Sequence, residues 1–394
     1  MERLVIILIL NESIVSPLLL ETIKRLQIPI LDRGKWIEKY LTSSLNVQSE
    51  TQFFYGKTNN RLLTNSENGI SLLGKFFPES KEYLWSKLLK DKSQVRSLFH
   101  SLYPDFYFNE VPLSQIDEIP KETIPFPVVV KPNIGYSSVG VQKVKELTEW
   151  STAVKRLKEE LLKSRNLYES TVIANDSILI EEWIKGEEYA VDGYYNEDGE
   201  PVILNVFKRL FKDEYDTSDR IYFTSREVIK ETYEEVLQFM RDLKTLLPLC
   251  NYPVHFEFRK NENRVIPIEI NPLRFAGAGT TDLGFHAYGI NMYEHYFRGT
   301  KPDWEHILET MDHYTYSFFF AEIPTYIDIE SIETVNHIGL KGEFSQVLEY
   351  RMLPKKNDRS IAIVFYRSED LTENERLLHL DITNYLHRRE LVFK

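Results

Sequence analysis

One stretch of the chain, residues 127–144, constrains the fold and the chemistry more than any other. A run of valines ends at Lys131, a loop of small residues follows at 135–140, and the next predicted strand runs from Val141 to Val144. β-Branched runs on either side of a short loop predict the two strands of a hairpin. Successive backbone N–H groups of such a loop can point at one anion, and a lysine adds a point charge. The stretch is therefore typical either of a phosphate-binding loop or of an ordinary hairpin whose loop is small.

A second predicted hairpin, at 254–271, carries acids on one face. Strand alternation places Glu257 on one face of the first strand, and Glu269 and Asn271 share a face of the second. Pairing of the strands would bring the two carboxylates within roughly 5–8 Å of each other, measured between Cβ atoms, where like charges need a cation. Two carboxylates and an amide oxygen suit Mg²⁺, which completes its shell with phosphate and water oxygens. The alternative is a solvent-facing polar strip that neighbouring arginines neutralise.

A third stretch, at 178–188, joins an apolar strand to a short acidic connector. Backbone N–H and C=O groups after such a strand can read the edge of an adenine ring. Glu188, seven residues after Glu181, can accept hydrogen bonds from ribose hydroxyls. Taken alone, the stretch is more typical of an exposed acidic turn.

The composition is that of a folded, acidic protein. The 394 residues are 42% hydrophobic and 27% charged, which is enough for a packed core and for roughly two or three domains. A net charge of −12 argues against a nucleic-acid partner, because phosphate backbones select basic surfaces. The single cysteine, Cys250, excludes an internal disulfide and favours a reducing compartment. The apolar run Leu4–Leu10 is too short to span a bilayer, so we expect a cytoplasmic protein with no membrane partner.

The order of the predicted elements indicates an α/β fold. The run Leu4–Leu10, the helical spacing of Val15–Leu26 and the run Ile28–Leu31 predict strand–helix–strand, the opening of an open α/β layer. No Gly-x-Gly-x-x-Gly follows the first strand, so dinucleotide binding is unsupported. Further helices are predicted at Leu84–Leu102, Ser225–Leu247, Thr281–Phe297 and Glu373–His387, with a polar loop at 210–224.

Together the three stretches resemble the ATP-grasp superfamily, and the first and third are most like the D-alanine–D-alanine ligases. The matching motifs are Lys131-Pro132 with Ser137-Ser138-Val139-Gly140, then Ile180–Glu188, then Glu257 with Glu269-Ile270-Asn271. The resemblance implies an N-terminal open α/β layer, a two-lobed ATP-grasp domain and a small α+β C-terminal extension. The implied bounds are 1–84 for the first, 85–300 for the second, with lobes at about 123–183 and about 184–300, and 301–394 for the third.

The resemblance also implies a role for each matching residue. The ATP phosphates would contact Lys92 and Lys131, under a lid formed by Ser137, Ser138 and Val139. Adenine and ribose would be bound by Glu181, Glu182, Trp183, Ile184 and Glu188. One or two Mg²⁺, or Mn²⁺ as a substitute, would bind Glu257, Glu269 and Asn271. The catalytic residues, which would stabilise the negative charge that develops on the transferred phosphate, would be Lys131, Arg274 and Lys208.

Three departures from the D-alanine ligases leave the substrate open. Leu273 separates Pro272 from Arg274, His255 stands where those ligases have an arginine, and their serine-rich substrate loop is not evident. The implied function is an ATP- and Mg²⁺-dependent ligase. It would activate a small-molecule carboxylate as an acyl phosphate, join it to an amine, and release ADP and phosphate. Alternatives are a kinase or carboxylase of the same fold, or a nucleotide-binding regulatory module without turnover. The sequence does not decide whether the protein forms a homodimer.

Overall fold

The structure of the chain is a computed structural model, which describes most of the sequence. The described residues are 5–10, 14–32, 45–50, 60–135, 139–164, 177–214, 216–261, 264–353 and 359–389. Ser137 and Ser138, which the sequence predicts in a lid over the phosphates, lie outside these ranges. Within them, no helix is both long and apolar enough to cross a membrane.

The N-terminal layer is built on a parallel sheet, as predicted. Its elements in chain order are β1 (Val5–Leu10), α1 (Pro17–Leu26), β2 (Ile30–Asp32), β3 (Asn60–Thr64) and α2 (Asn68–Phe76). Strand β1 lies in the middle of the sheet and pairs in parallel with β2 and β3. The described end of β1, from Leu8 to Leu10, is fully buried, which confirms the interpretation of this apolar run as a core strand.

The prediction of one helix over Leu84–Leu102 is wrong, because the chain forms two. Helix α3 (Lys81–Lys90) ends at Asp91, and α4 (Lys92–Leu98) begins directly after it. Asp91 is extended, with φ −86° and ψ 103°, and its Oδ1 accepts a hydrogen bond from the backbone N–H of Gln94. Aspartate is favoured at such N-cap positions because it satisfies a free N–H of the first helical turn. The break leaves one lysine on each side of Asp91.

A four-stranded antiparallel sheet contains the two strands predicted on either side of the small-residue loop. Its strands are β4 (Phe108–Pro112), β5 (Val128–Pro132), β6 (Gln142–Val144) and β7 (Ser177–Glu182), in the order β4-β7-β5-β6. Strands β5 and β6 pair as the predicted hairpin. Helix α5 (Trp150–Ser164) packs its buried stripe, which includes Leu157 and Leu161, against the valines of β5.

The remaining strands form one large sheet and one small one. They are β8 (Glu187–Tyr195), β9 (Pro201–Leu210), β10 (Ile221–Thr224), β11 (Tyr252–Lys260), β12 (Val265–Pro272), β13 (Thr315–Glu322), β14 (Ile332–Val335), β15 (Val347–Met352), β16 (Ser360–Ser368) and β17 (Leu386–Arg388). The large sheet has the order β12-β11-β8-β9-β10-β13-β16-β15, whereas β14 and β17 pair with each other. Because β10 pairs with β13, strands of the 301–394 segment continue the sheet that carries the acidic hairpin.

Of the three helices predicted in the second half, one is confirmed and two are shorter or interrupted. The helices of this half are α6 (Arg226–Leu246), α7 (Leu283–Tyr288), α8 (Met292–Arg298), α9 (Trp304–Thr310), α10 (His337–Lys341) and α11 (Thr372–Leu378). The long helix predicted at Ser225–Leu247 is confirmed as α6. The helix predicted at Thr281–Phe297 is interrupted at Gly289, whose φ of 70° ends α7. The helix predicted at Glu373–His387 ends at Leu378, and the loop predicted at 210–224 includes strand β10.

Candidate active site

A cleft of about 670 Å³ lies between the four-stranded sheet and the eight-stranded sheet. Its lining includes ten of the residues predicted for the site, namely Lys92, Lys131, Val139, Glu181, Glu182, Trp183, Ile184, Glu188, Glu257 and Glu269. Strands of both sheets carry six of these residues, so the fold unites three stretches that lie far apart in the chain. Asn271, Arg274 and Lys208 do not line the described part of this cleft.

Lys131 belongs to a buried ion-pair triad with Glu181 and Arg96. Glu181 receives hydrogen bonds from Lys131 on one oxygen and from Arg96 on the other, the latter at 2.8 Å from Nε to Oε2. Arg96 also donates to the backbone oxygen of Pro267, at 2.7 Å. Burial raises the pKa of Glu181, but the two cations outweigh burial and lower it to about 2. Glu181 therefore holds Lys131 through one oxygen and Arg96 through the other, whereas a contact between Glu181 and adenine stays a prediction.

Arg96 is a site residue that the sequence analysis did not select. It lies one helical turn after Lys92 on α4, and its guanidinium stacks on Phe106 with 4.3 Å between Cζ and the ring centroid. The i, i+4 spacing from a predicted phosphate lysine is the only local signal for it. Its acceptor, Glu181, is 85 residues away in the chain, so the pair becomes visible only in the fold.

The two acids of the predicted metal site face each other, as strand alternation indicates. Glu257 on β11 is the register partner of Glu269 on β12. The Oε1 atom of Glu269 lies 3.1 Å from the Nζ of Lys90 and 3.3 Å from that of Lys92. Burial raises the pKa of Glu269, but the two lysines outweigh it and hold that pKa below its usual range. This carboxylate is therefore ionised at neutral pH and available to a cation.

The donor set fits a divalent ion that also takes ligands from phosphate and water. Among the described residues, no three acidic, histidine or cysteine side chains cluster tightly enough to hold a metal by themselves. Mg²⁺ seldom has such a cage and usually combines one or two carboxylates with phosphate oxygens. Glu257 and Glu269 satisfy that requirement at the wall of the cleft.

Asn271, the third predicted metal ligand, does not line the described part of the cleft. Its side chain is buried, and its Oδ1 accepts a hydrogen bond from Lys90 at 3.1 Å. Its amide nitrogen faces Oε1 of Glu257 at 3.4 Å. The amide oxygen is thus committed to a lysine, and its role as a metal ligand stays a prediction.

The predicted ribose acceptor, Glu188, is bound by two arginines. Arg209 donates to its Oε1 at 2.7 Å, and Arg259 donates to its Oε2 at 3.0 and 3.1 Å. Arg209 lines the cleft, whereas the neighbouring Lys208 points to the opposite face of β9 and pairs with Glu187. Adjacent strand residues point to opposite faces. Arg209 is thus the cleft-lining cation of this pair, and a role for Lys208 toward phosphate or substrate stays a prediction.

Arg274 is directed toward the N-terminal layer. Leu273 has a φ of 58°, and the turn that it makes after β12 sends the Arg274 side chain toward Glu67, with 3.3 Å between Nη2 and Oε1. Its Nη1 donates to the backbone oxygen of Phe275 at 3.0 Å. A role for Arg274 toward a substrate carboxylate or the transferred phosphate stays a prediction.

Comparison with known proteins agrees with this geometry. A sequence model of the ATP-grasp domain matches residues 124–282, which span the small-residue loop, the connector and the acidic hairpin. Residues 124–282 are therefore identified as an ATP-grasp domain. The matched segment leaves out α3 and α4, so Lys92 reaches the ATP-grasp cleft from outside it, and Lys90 and Arg96 pair from outside it with the cleft residues Glu269 and Glu181.

Solved structures share the fold over nearly the whole chain. An L-amino acid ligase from Bacillus licheniformis is 14% identical, with 98% of each chain covered and a TM-score of 0.66. A carboxyaminoimidazole ribonucleotide synthase from Aspergillus clavatus, complexed with ATP, is 12% identical, with 95% of this chain and 97% of that chain covered and a TM-score of 0.62. A phosphoribosylglycinamide synthetase from Anaerococcus prevotii is 14% identical, with 98% and 100% covered and a TM-score of 0.58. A comparison with curated proteins finds no match.

Hydrogen bonds hold both ends of the small-residue loop of the ATP-grasp domain. At its start, Asn133 accepts a hydrogen bond from the backbone N–H of Ser93 at 2.8 Å and donates to Asp91 Oδ1 at 2.9 Å. At its end, the backbone N–H of Gly140 donates to Glu160 at 2.9 Å, and the φ of Gly140 is 74°, which favours glycine. The two ends are therefore bonded to α4 and α5.

Ion pairs cross the mouth of the ATP-grasp cleft. Lys143 on β6 lies over the ring of Trp183, 3.1 Å from its centroid, and its ammonium is 2.7 Å from Glu214. Lys145 pairs with the same carboxylate. Glu214 belongs to the segment between β9 and β10, so these pairs connect the two sheets across the connector at Trp183.

We expect the Glu214→Gln variant to release nucleotide about 2- to 5-fold faster than the wild type. Exposed ion pairs stabilise weakly, and loss of two pairs that cross the cleft should act mainly on dissociation. Stopped-flow displacement of a fluorescent ADP analogue measures the rate. Asp117→Asn is a matched control, because it removes an exposed pair with Lys158 on the small lobe, and it should leave the rate unchanged. Equal rates for Glu214→Gln and the wild type would contradict the prediction.

A buried histidine lies behind the acidic hairpin. His255 Nδ1 is 2.8 Å from Oδ1 of Asp192, and its Nε2 is 3.6 Å from Oε1 of Glu257. Asp192 is fully buried and also accepts hydrogen bonds from Thr281 Oγ1 and the backbone N–H of Ala276, both at 2.8 Å. Burial lowers the pKa of His255, but the two carboxylates outweigh burial and raise it to about 9.

This raised pKa predicts a specific pH dependence of stability. The protonated imidazole stabilises the folded chain fully below pH 6.5, its ordinary pKa, and this contribution is lost as the pH rises through about 9. We expect the difference in unfolding free energy between wild type and His255→Gln to shrink by about 3 kcal/mol between pH 6 and pH 10. Urea unfolding of both nucleotide-free proteins across this range measures it. A difference that does not change with pH would show that folding does not raise the pKa of His255.

Proposed function

We propose that this protein is an ADP-forming ligase that joins a small-molecule carboxylate to an amine at the expense of ATP and Mg²⁺. The observation that supports it most is the convergence in one cleft of Lys92, Lys131 and the facing acids Glu257 and Glu269. The fold shared over 98% of both chains with an L-amino acid ligase favours amino acids as substrates.

The proposed chemistry needs charge stabilisation more than covalent help from the protein. A substrate carboxylate oxygen would attack the γ-phosphorus, ADP would leave, and an amine would then displace phosphate from the acyl phosphate. Lys92 and Lys131 would neutralise the spreading phosphoryl charge, since they are fixed cations at the wall of the cleft. Mg²⁺, when bound at Glu257 and Glu269, supplies further positive charge to the phosphates.

The lining of the cleft agrees with direct transfer to a substrate. Its described residues include neither a cysteine nor a histidine that would serve as a nucleophile. Cys250 lies elsewhere, with its sulfur 3.1 Å from the Nζ of Lys81. We further propose that Arg209 contacts the nucleotide or the substrate, that Arg274 binds a carboxylate, and that Mn²⁺ substitutes for Mg²⁺. A cytoplasmic location is also part of the proposal.

Hydroxylamine trapping tests the proposed activation step. The purified protein is incubated with ATP, Mg²⁺, hydroxylamine and single amino acids, and hydroxamate and ADP are measured together. An acyl phosphate yields a hydroxamate, so we expect equal amounts of hydroxamate and ADP for at least one amino acid. ADP formation with a stable phosphate ester as product would instead assign a kinase. Nucleotide binding without ADP release for any amino acid or bicarbonate would assign a regulatory module.

A further inference from the structure

The ammonium of Lys90 occupies part of the region predicted for divalent ions. Its Nζ lies 2.7 Å from Oε1 of Glu67, 3.1 Å from Oε1 of Glu269 and 3.1 Å from Oδ1 of Asn271. An ammonium has three N–H donors, and here each has an oxygen acceptor. Two of the three oxygens belong to the predicted metal ligands, so Lys90 already binds the oxygen atoms that a metal on this side would need.

The orientation of the Asn271 amide follows from the charges around it. Its oxygen faces the Lys90 ammonium, and its nitrogen faces the Glu257 carboxylate at 3.4 Å. The opposite orientation would place N–H groups against the ammonium and an oxygen against the carboxylate. Asn271 therefore offers its oxygen to Lys90 and only N–H groups to the side where Glu257 lies.

Lys90 is fixed in place by its helix and by the N-terminal layer. It is the last residue of α3, and Ser86 of the same helix hydrogen-bonds the Tyr252 hydroxyl of β11 at 2.7 Å. Glu67, its closest partner, also pairs with Arg274 at 3.3 Å. The Lys90 side chain is only 11% exposed and pairs with both Glu67 and Glu269, so its ammonium is held in a largely buried cluster of charged side chains.

Lys90 differs from Lys92 in one decisive respect. Both lysines contact Oε1 of Glu269, at 3.1 and 3.3 Å, but Lys92 lines the cleft and Lys90 does not. Lys92 is therefore placed to meet a phosphate, whereas Lys90 lies behind the acids. A cation at that position acts on the metal ligands and not on the nucleotide.

We propose that Lys90 takes the place of one of the two divalent cations that this site would otherwise hold, so that the protein binds a single metal ion, at Glu257 and Glu269. The inference deepens the proposed function and rests on it. A second divalent ion at Asn271 and Glu269 would share both oxygens with a fixed ammonium, and the mutual repulsion excludes it. The positive charge of the Lys90 ammonium would take the place of the charge of that second ion.

Mn²⁺ binding to the complex with the non-hydrolysable analogue β,γ-imido-ATP tests this inference without turnover. Electron paramagnetic resonance counts bound Mn²⁺ and detects the dipolar coupling of two ions that lie close together. We expect one Mn²⁺ per wild-type complex and no coupled signal. The Lys90→Met variant should bind two Mn²⁺ with a coupled signal, because it frees the oxygens of Glu269 and Asn271.

Two further variants keep the test falsifiable. Lys87→Met removes an exposed lysine from the same helix and should still bind one ion. Lys90→Met combined with Glu67→Gln removes both partners of the closest pair, so it serves if the single variant folds poorly. Two coupled ions in the wild type, or one ion in both Lys90 variants, would overturn the inference. Failure of the wild type to bind the nucleotide analogue at all would instead count against the proposed function.

Discussion

The Glu181→Ala variant is expected to lose about 3–5 kcal/mol of unfolding free energy, because it strands two buried cations. Arg96 and Lys131 each direct an N–H group at this carboxylate, and the charged atoms of all three are at most 5% exposed. Removal of the shared acid leaves both charges without a counter-ion inside the protein. Urea unfolding monitored by tryptophan fluorescence measures the loss.

Two variants separate the ion pairing from packing. Glu182→Ala changes the next residue of β7, whose carboxylate is about one-third exposed and lies 3.9 Å from Arg264, and it should cost less than about 1 kcal/mol. Replacement of the whole triad, with Arg96→Met, Lys131→Met and Glu181→Leu, should regain most of the stability, since apolar side chains of similar size can replace a buried ion pair. It should also abolish ADP formation. A Glu181→Ala protein as stable as Glu182→Ala would refute the buried triad.

The Glu269→Gln variant is expected to lower ADP formation by at least about 10³-fold. Glutamine keeps the shape of the side chain but removes the charge that faces Glu257 across β11 and β12 and that pairs with Lys90 and Lys92. The substrate phosphates would then lack half of the acidic pair that is proposed to hold Mg²⁺. A coupled ADP assay at saturating ATP and Mg²⁺ measures the loss.

The matched control for this variant is Glu200→Gln. Glu200 is exposed and pairs with Lys244 away from the cleft, so its variant should keep activity within about 2-fold of the wild type. Circular dichroism and thermal unfolding establish that both variants are folded. Wild-type turnover by Glu269→Gln would remove Glu269 from the proposed metal site.

The part of the site that follows from strand alternation could be predicted from the sequence. The acids at 257 and 269 face each other because each strand repeats every two residues and the connecting turn is short. The same rule did not decide between Lys208 and Arg209, since a shift of one residue exchanges the two faces of a strand. The β8–β9 pairing contains such a register shift, between Asp192 and Gly193.

The parts that could not be predicted depend on contacts between distant segments. The helix break at Asp91 interrupts no hydrophobic period, so α3 and α4 resemble one helix in the sequence. The role of Lys90 depends on Glu67, 23 residues earlier, and on Asn271, 181 residues later. Arg96 likewise meets Glu181, which lies 85 residues later in the chain. Local spacing predicted the small-residue loop and the facing acids, whereas the cations that pair with the site carboxylates could be found only from the fold.

Transfer of ¹⁸O tests the central claim most directly. An amino acid that supports hydroxamate formation is labelled with ¹⁸O in its carboxylate and incubated with the protein, ATP, Mg²⁺ and an amine. Attack of the carboxylate on the γ-phosphorus predicts one ¹⁸O atom in each molecule of released phosphate, measured by mass spectrometry. Phosphate that carries oxygen only from ATP and water would contradict an acyl phosphate, and with it the assignment of this chain as a carboxylate–amine ligase.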